Sequence, residues 1–141
     1  MNLKKIEKSL SELLNKKMNL DFTYKTEEDI LLANVSLNLY GRENPVTCNL
    51  WIFEGGSMIM SFLFGKVPYT VQVLNAASSF NSEVTFFKAT IMSGVLNILH
   101  EVYVVDEKMV AEYVKGMLGI LTSDDVKVHL EALLQVCDAA V

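Results

Sequence analysis

Between residues 31 and 40 the apolar positions recur at every second residue. Leu31, Ala33, Val35, Leu37 and Leu39 share one side, and Leu32, Asn34, Ser36, Asn38 and Tyr40 share the other. That period of two belongs to a half-buried β-strand. A longer segment over 74–105 reads as a helix end, a short loop and two alternating strands, 84–92 and 95–105, joined across Ser93-Gly94. Runs over 46–54 and 57–64 form another pair. Gly55-Gly56 lies between them as a two-residue hairpin turn, with glycine supplying the positive φ. Trp51 and Phe53 share one face of the first run, and Cys48, Leu50 and Ile52 the other. Met58, Met60, Phe62 and Phe64 line one face of the second, with Ile59 and Leu63 behind. Phe22 and Tyr24 suggest a further short strand, and Glu27-Glu28-Asp29 a solvated turn after it.

Elsewhere the period lengthens. Leu3, Ile6, Leu10, Leu13 and Leu14 recur at three- and four-residue spacing and predict an amphipathic helix ending near Lys17 to Asn19. Pro68 suits the first turn of a helix running to about Phe80, and the scarcity of charge there predicts that it is largely buried. Asn81 can take the left-handed conformation that ends such a helix. Apolar pairs from Met109-Val110 to Leu121 advance four at a time, and a hydroxyl followed by acids over 122–125 signals a second helical start. Val126, Leu130, Leu133, Leu134 and Cys137 stripe the last segment. The pattern fits one bent closing helix or two. The order is helix, three strands, helix, hairpin and closing helices. It describes a single α+β domain over 1–141, with an antiparallel sheet of about five strands and helices packed on it.

Composition narrows the class. An apolar fraction of 51% excludes a disordered chain. No apolar run approaches the ~18 residues of a membrane span. The first seventeen residues lack the continuous apolar core of a secretory signal, so the expected compartment is the cytoplasm. Net charge is −5, made of +3 over residues 1–25 and −8 over 26–141. An acidic body repels a phosphate backbone, so nucleic acid is not an expected partner. The lysine-rich first helix is either a solvated face or a docking element. Cys48 and Cys137 stand alone and in apolar phase, as reduced buried thiols do.

Local tests for chemistry come out negative. His100 lies mid-strand, and its neighbour Glu101 points to the opposite face, so Glu101 cannot orient it as a general base. Asp125 and His129 stand one helical turn apart and could pair, but no third ligand makes a metal site. The acids at 27–29 lack the alternation and glycine of a calcium loop. Gly116 and Gly119 sit on a helix without the strand-to-helix loop of a phosphate cradle. No nucleophile elbow, CxxC or GxxxxGK[ST] occurs. No catalytic, metal or cofactor residue is therefore expected.

What remains is an apolar excess: seven methionines, seven phenylalanines, five tyrosines and one tryptophan. Apolar residues on both faces of a strand mean either helices on both sides or a partner on one. Trp51, Phe53, Met58 and Met60 are the candidate contact surface, since methionine and aromatic residues suit seams and adaptable binding. These features predict a non-enzymatic binding module that engages a protein or peptide and pairs with itself. The alternative is a small-ligand sensor with an apolar pocket between the sheet and the Pro68 helix.

Leu74-Asn75, Phe80-Asn81 and Phe86-Phe87-Lys88, leading into Ile91 to Leu99 and then a helix from Asp106, carry a resemblance. Together with the order of elements, they resemble the type III secretion chaperone-like fold and, within it, the YbjN family of bacterial sensory transduction regulators. The resemblance implies a regulatory or chaperone-like binding protein, a homodimer by analogy with secretion chaperones, and brings no catalytic residue. The chain departs from the typical chaperone in closing with two helical segments instead of one.

Overall fold

A computed structural model describes all residues from Met1 to Val141. The chain opens with α1 (Leu3–Leu10), capped by the Asn2 side chain, which accepts from the Lys5 N–H at 3.2 Å. The helix widens without a break into a π segment (Ser11–Lys17), so that Leu3, Ile6, Leu10, Leu13 and Leu14 are all buried. It ends at Asn19, whose φ of 53° lies in the left-handed region.

Six strands follow in one antiparallel sheet of order β1-β2-β3-β4-β6-β5: β1 (Asp21–Glu27), β2 (Ile30–Leu37), β3 (Val46–Phe53), β4 (Ser57–Lys66), β5 (Lys88–Met92) and β6 (Val95–Tyr103). The first is longer than Phe22 and Tyr24 suggested. Only Phe22 of its seven residues is buried, so hydrophobic alternation could not reveal its full length; the ladder to β2 holds it. β5 is shorter than the 84–92 run. Val84 and Phe87, three apart, are both buried, which an extended strand would prevent, so the chain bends before Lys88. Ser93 and Gly94 both have positive φ, 52° and 74°, the geometry that joins twisted hairpin strands.

The turn between β3 and β4 holds three residues, Glu54, Gly55 and Gly56, where two were expected. Gly56 closes it with a φ of 107°, and a Cβ there would stand 2.9 Å from the Val104 carbonyl oxygen. Backbone conformation and close approach both demand glycine at this position.

The crossover from β4 to β5 is α2 (Val71–Glu83). Its cap is Thr70, which accepts from the Val73 N–H at 3.3 Å, so the helix starts past Pro68. Only Val73, Ala77 and Phe80 are buried, and Val71 and Leu74 are exposed alongside the serine, asparagine and glutamine of the outer face. Low charge was therefore not burial. Asn81 lies inside the helix instead of ending it. Its side chain donates to the Ala89 carbonyl at 3.0 Å and accepts from the Ala89 N–H at 2.6 Å, acting as a neighbour for the edge strand β5.

The closing helices are two, α3 (Val110–Leu121) and α4 (Asp124–Ala140). Thr122 and Ser123 turn their hydroxyls back onto the last carbonyls of α3 and break the run. α1 packs on α3 and α2 on α4. Leu31, Ala33, Val35, Leu50, Ile52, Met60, Phe62 and Ile98 are at most 2% exposed on the side the helices cover. All buried apolar side chains join one cluster, so the chain has one core. No helix is long and apolar enough to cross a membrane.

Candidate binding surface on the open face of the sheet

The helices lie on one side of the sheet; the other side carries none. Strand pairing arranges its residues in rows. Lys25, Leu32, Trp51, Ile59 and Glu101 stand in register across β1, β2, β3, β4 and β6. The next row is Thr23, Asn34, Asn49, Ser61, Leu99 and Lys88, and the third is Asp21, Ser36, Thr47, Leu63, Asn97 and Thr90. Trp51 is 38% exposed and Phe53 36%, while Leu32, Ile59, Leu63 and Leu99 are half-buried by their neighbours. Charge is confined to the margins, with Asp21, Lys25 and Glu27 on β1 and Lys88 and Glu101 at the far side. The centre is neutral and partly apolar.

A polar inlay lies within this face. Ser61 donates to the Asn97 side-chain oxygen at 2.9 Å, and both residues are buried. Beside them the Thr90 hydroxyl is buried without a hydrogen-bond partner. An unpaired buried hydroxyl is costly and uncommon.

Of the four residues expected on a contact surface, the structure places two there. Trp51 and Phe53 are on the open face. Met58 and Met60 are 1% and 0% exposed in the core, across the ladder from Ile52 and Leu50, and cannot touch a partner. The cause is the turn. A two-residue Gly55-Gly56 turn would set Met60 opposite Trp51, whereas the third residue, Glu54, slides the register by one and sets Ile59 there. In a strand of period two that slip exchanges the faces. Leu32, Ile59, Leu63 and Leu99 complete the surface instead.

Of the two histidines, the fold holds His100 on both ring nitrogens. His100 is buried beneath α3, its Nδ1 2.7 Å from the Phe86 carbonyl oxygen and its Nε2 2.7 Å from the Tyr113 hydroxyl. A carbonyl only accepts, so Nδ1 donates, and in the neutral ring Nε2 accepts from Tyr113. The rings of His100 and Tyr113 stack with centroids 5.7 Å apart, and burial raises the Tyr113 hydroxyl above its usual pKa. Both nitrogens are thus occupied by the fold itself. Asp125 and His129 share a helix but form no ion pair.

Burial pushes up the thiol pKa of both free cysteines; at Cys137 the adjacent Asp138 adds to this and Arg42 opposes it. A cleft of about 630 Å³ opens between the 40–45 loop and the end of α4. Arg42, the one arginine of the chain, faces Asp138 across it at 3.4 Å. The loop is held by Tyr40, whose φ is 55° and whose hydroxyl donates to the Leu121 carbonyl at 2.5 Å. Burial, with Glu131 nearby, pushes that hydroxyl up to about 12. Val73, Ala77 and Phe80 pack the underside of α2, and the space left between that helix and the edge strand β5 is a small cleft of about 270 Å³ lined by Tyr69, Leu74, Ala77, Asn81, Ala89 and Ile91. Compared with family models, with curated proteins and with solved structures, the chain matches none.

Proposed function

We propose that this chain is a cytoplasmic protein-binding module that acts by contact and not by catalysis, in a regulatory or chaperone-like role. The observation that carries the reading is the row Leu32–Trp51–Ile59, an apolar stripe across three strands on a face that no helix covers. Tryptophan at the centre of a neutral patch with charges at the rim is the anatomy of a protein contact. The function implied by the resemblance to the YbjN family points the same way.

A photoreactive residue at position 51 tests this in living cells. The reading expects covalent protein adducts from position 51 and far fewer from position 128, which is 61% exposed on the outer side of α4. Equal or absent adducts from the two positions would contradict it.

A second reading, a small-ligand sensor, finds support in the cleft at Arg42, whose volume lies in the range of ligand sites. Its charged lining favours a polar ligand over the apolar one the sequence suggested. Native mass spectrometry of the purified protein would show such a ligand as added mass that Arg42→Ala removes, and an unadorned chain mass would argue against it.

A further inference from the structure

The rows of the open face satisfy a two-fold symmetry. We propose that the partner on this face is a second copy of the chain, packed sheet to sheet about an axis that runs along the strands between β3 and β4. The proposal rests on the binding reading above and commits it to one occupant.

An axis in that position exchanges β3 with β4, β2 with β6 and β1 with β5, because the strands stand in the order β1-β2-β3-β4-β6-β5. Each row then lies over its own copy. Trp51 covers Ile59 of the second copy and Ile59 is covered by Trp51 in return. Thr47 meets Leu63, and Asn49 meets the Ser61 end of the polar inlay. The margins also match. Leu32 on β2 lies over Glu101 on β6 of the second copy, with Lys25 one strand further out and able to reach that carboxylate, and Asp21 lies over Thr90, one row from Lys88. Asp21, Lys88 and Glu101 have no ion-pair partner in their own chain; Lys25 holds only its neighbour Glu27.

The alternative axis, across the strands through the Asn49 row, fits less well. It would set Lys88 over Lys88 and Trp51 over the Thr47 row. Size agrees with the first arrangement. Six strands about 4.8 Å apart and eight residues long at about 3.3 Å each make a face of roughly 750 Å². That is close to the ~800 Å² per partner of a standard stable interface. Two such faces pack with strands about 30° apart and sheets ~10 Å apart, within span of lysine and glutamate side chains.

Sedimentation equilibrium on the purified chain, with charge reversals, tests the proposal. The wild type is expected to be dimeric at roughly 50 µM, and Trp51→Arg to be monomeric at that concentration with unchanged circular dichroism. Lys25→Glu and Glu101→Lys are each expected to weaken the dimer about fivefold, and the double variant to regain most of the loss. A monomeric wild type at that concentration, a dimer indifferent to Trp51→Arg, or charge reversals that do not rescue one another would each overturn it. The two readings separate cleanly. A monomer whose position 51 still yields adducts in cells would sink the self-pairing and leave the binding module standing, whereas loss of both removes the surface altogether.

Discussion

The two faces of the sheet share one backbone and differ in everything that covers them. On the inner face Leu50, Ile52, Met60 and Phe62 are completely buried under the helices. One residue along the same strands, Trp51, Ile59 and Leu63 point the other way and meet nothing of their own chain that hides them fully. The inner apolar residues are explained by folding. The outer ones are not, and a tryptophan more than one-third exposed in the middle of a sheet calls for a reason outside the monomer. That difference, more than any single residue, is what the proposed binding role rests on.

The largest effect expected from the comparison sets Phe62 against Trp51. Phe62 is fully buried and meets Phe87 edge-on with centroids 6.0 Å apart. Phe62→Ala should cost about 3–5 kcal/mol in urea denaturation. Trp51→Ala, measured on monomer at sub-micromolar concentration, should stay within about 1 kcal/mol. Similar costs for the two would erase the distinction between the faces.

Polar groups give the next contrast. His100→Leu leaves the Phe86 carbonyl and the Tyr113 hydroxyl unpaired on the inner side and should cost about 1–3 kcal/mol. Thr90→Val, on the outer side, removes a hydroxyl that has no partner. It should be neutral or stabilise by up to about 1 kcal/mol, read as a rise in midpoint temperature. A clear loss of stability from Thr90→Val would mean that the hydroxyl is engaged after all.

Alternation along each strand was legible in the sequence because the period of two is local. The faces of β2 and β3 follow it, and the stripe of α4 through Leu130 and Cys137 follows the equally local helical period. The alternation left open which strand lay beside which, and by what register. β1 is exposed at six of its seven positions, and only Phe22 and Tyr24 signalled it; its full length and place come from pairing with β2. Met58 and Met60 moved from the surface into the core on the strength of one extra turn residue. Asn81, read as a helix stop, serves an edge strand eight residues away, a contact that helix signals do not encode.

The smallest effect concerns alkaline pH. The Tyr40 hydroxyl lies at about 12 in the folded protein against 10.0 for an unperturbed tyrosine, raised first by burial and then by Glu131. The folded state therefore holds this proton more tightly than the unfolded one. The contribution is complete below pH 10 and is lost as pH rises from 10 to 12. Cys48 and Tyr113, also raised by burial, act in the same direction. Tyr40→Phe should make the midpoint temperature fall less steeply across that window than the wild type's. An unchanged slope would exclude Tyr40 as a source.

Because the chain has one tryptophan and it stands at the centre of the open face, its fluorescence reports on that face alone. The most direct measurement is the emission maximum and acrylamide quenching of Trp51 as protein concentration rises from sub-micromolar to roughly 50 µM. The account predicts a red-shifted, readily quenched signal in dilute solution that moves to shorter wavelength and becomes protected as copies meet face to face. Emission and quenching that stay constant while sedimentation reports a dimer would place the seam elsewhere and contradict it.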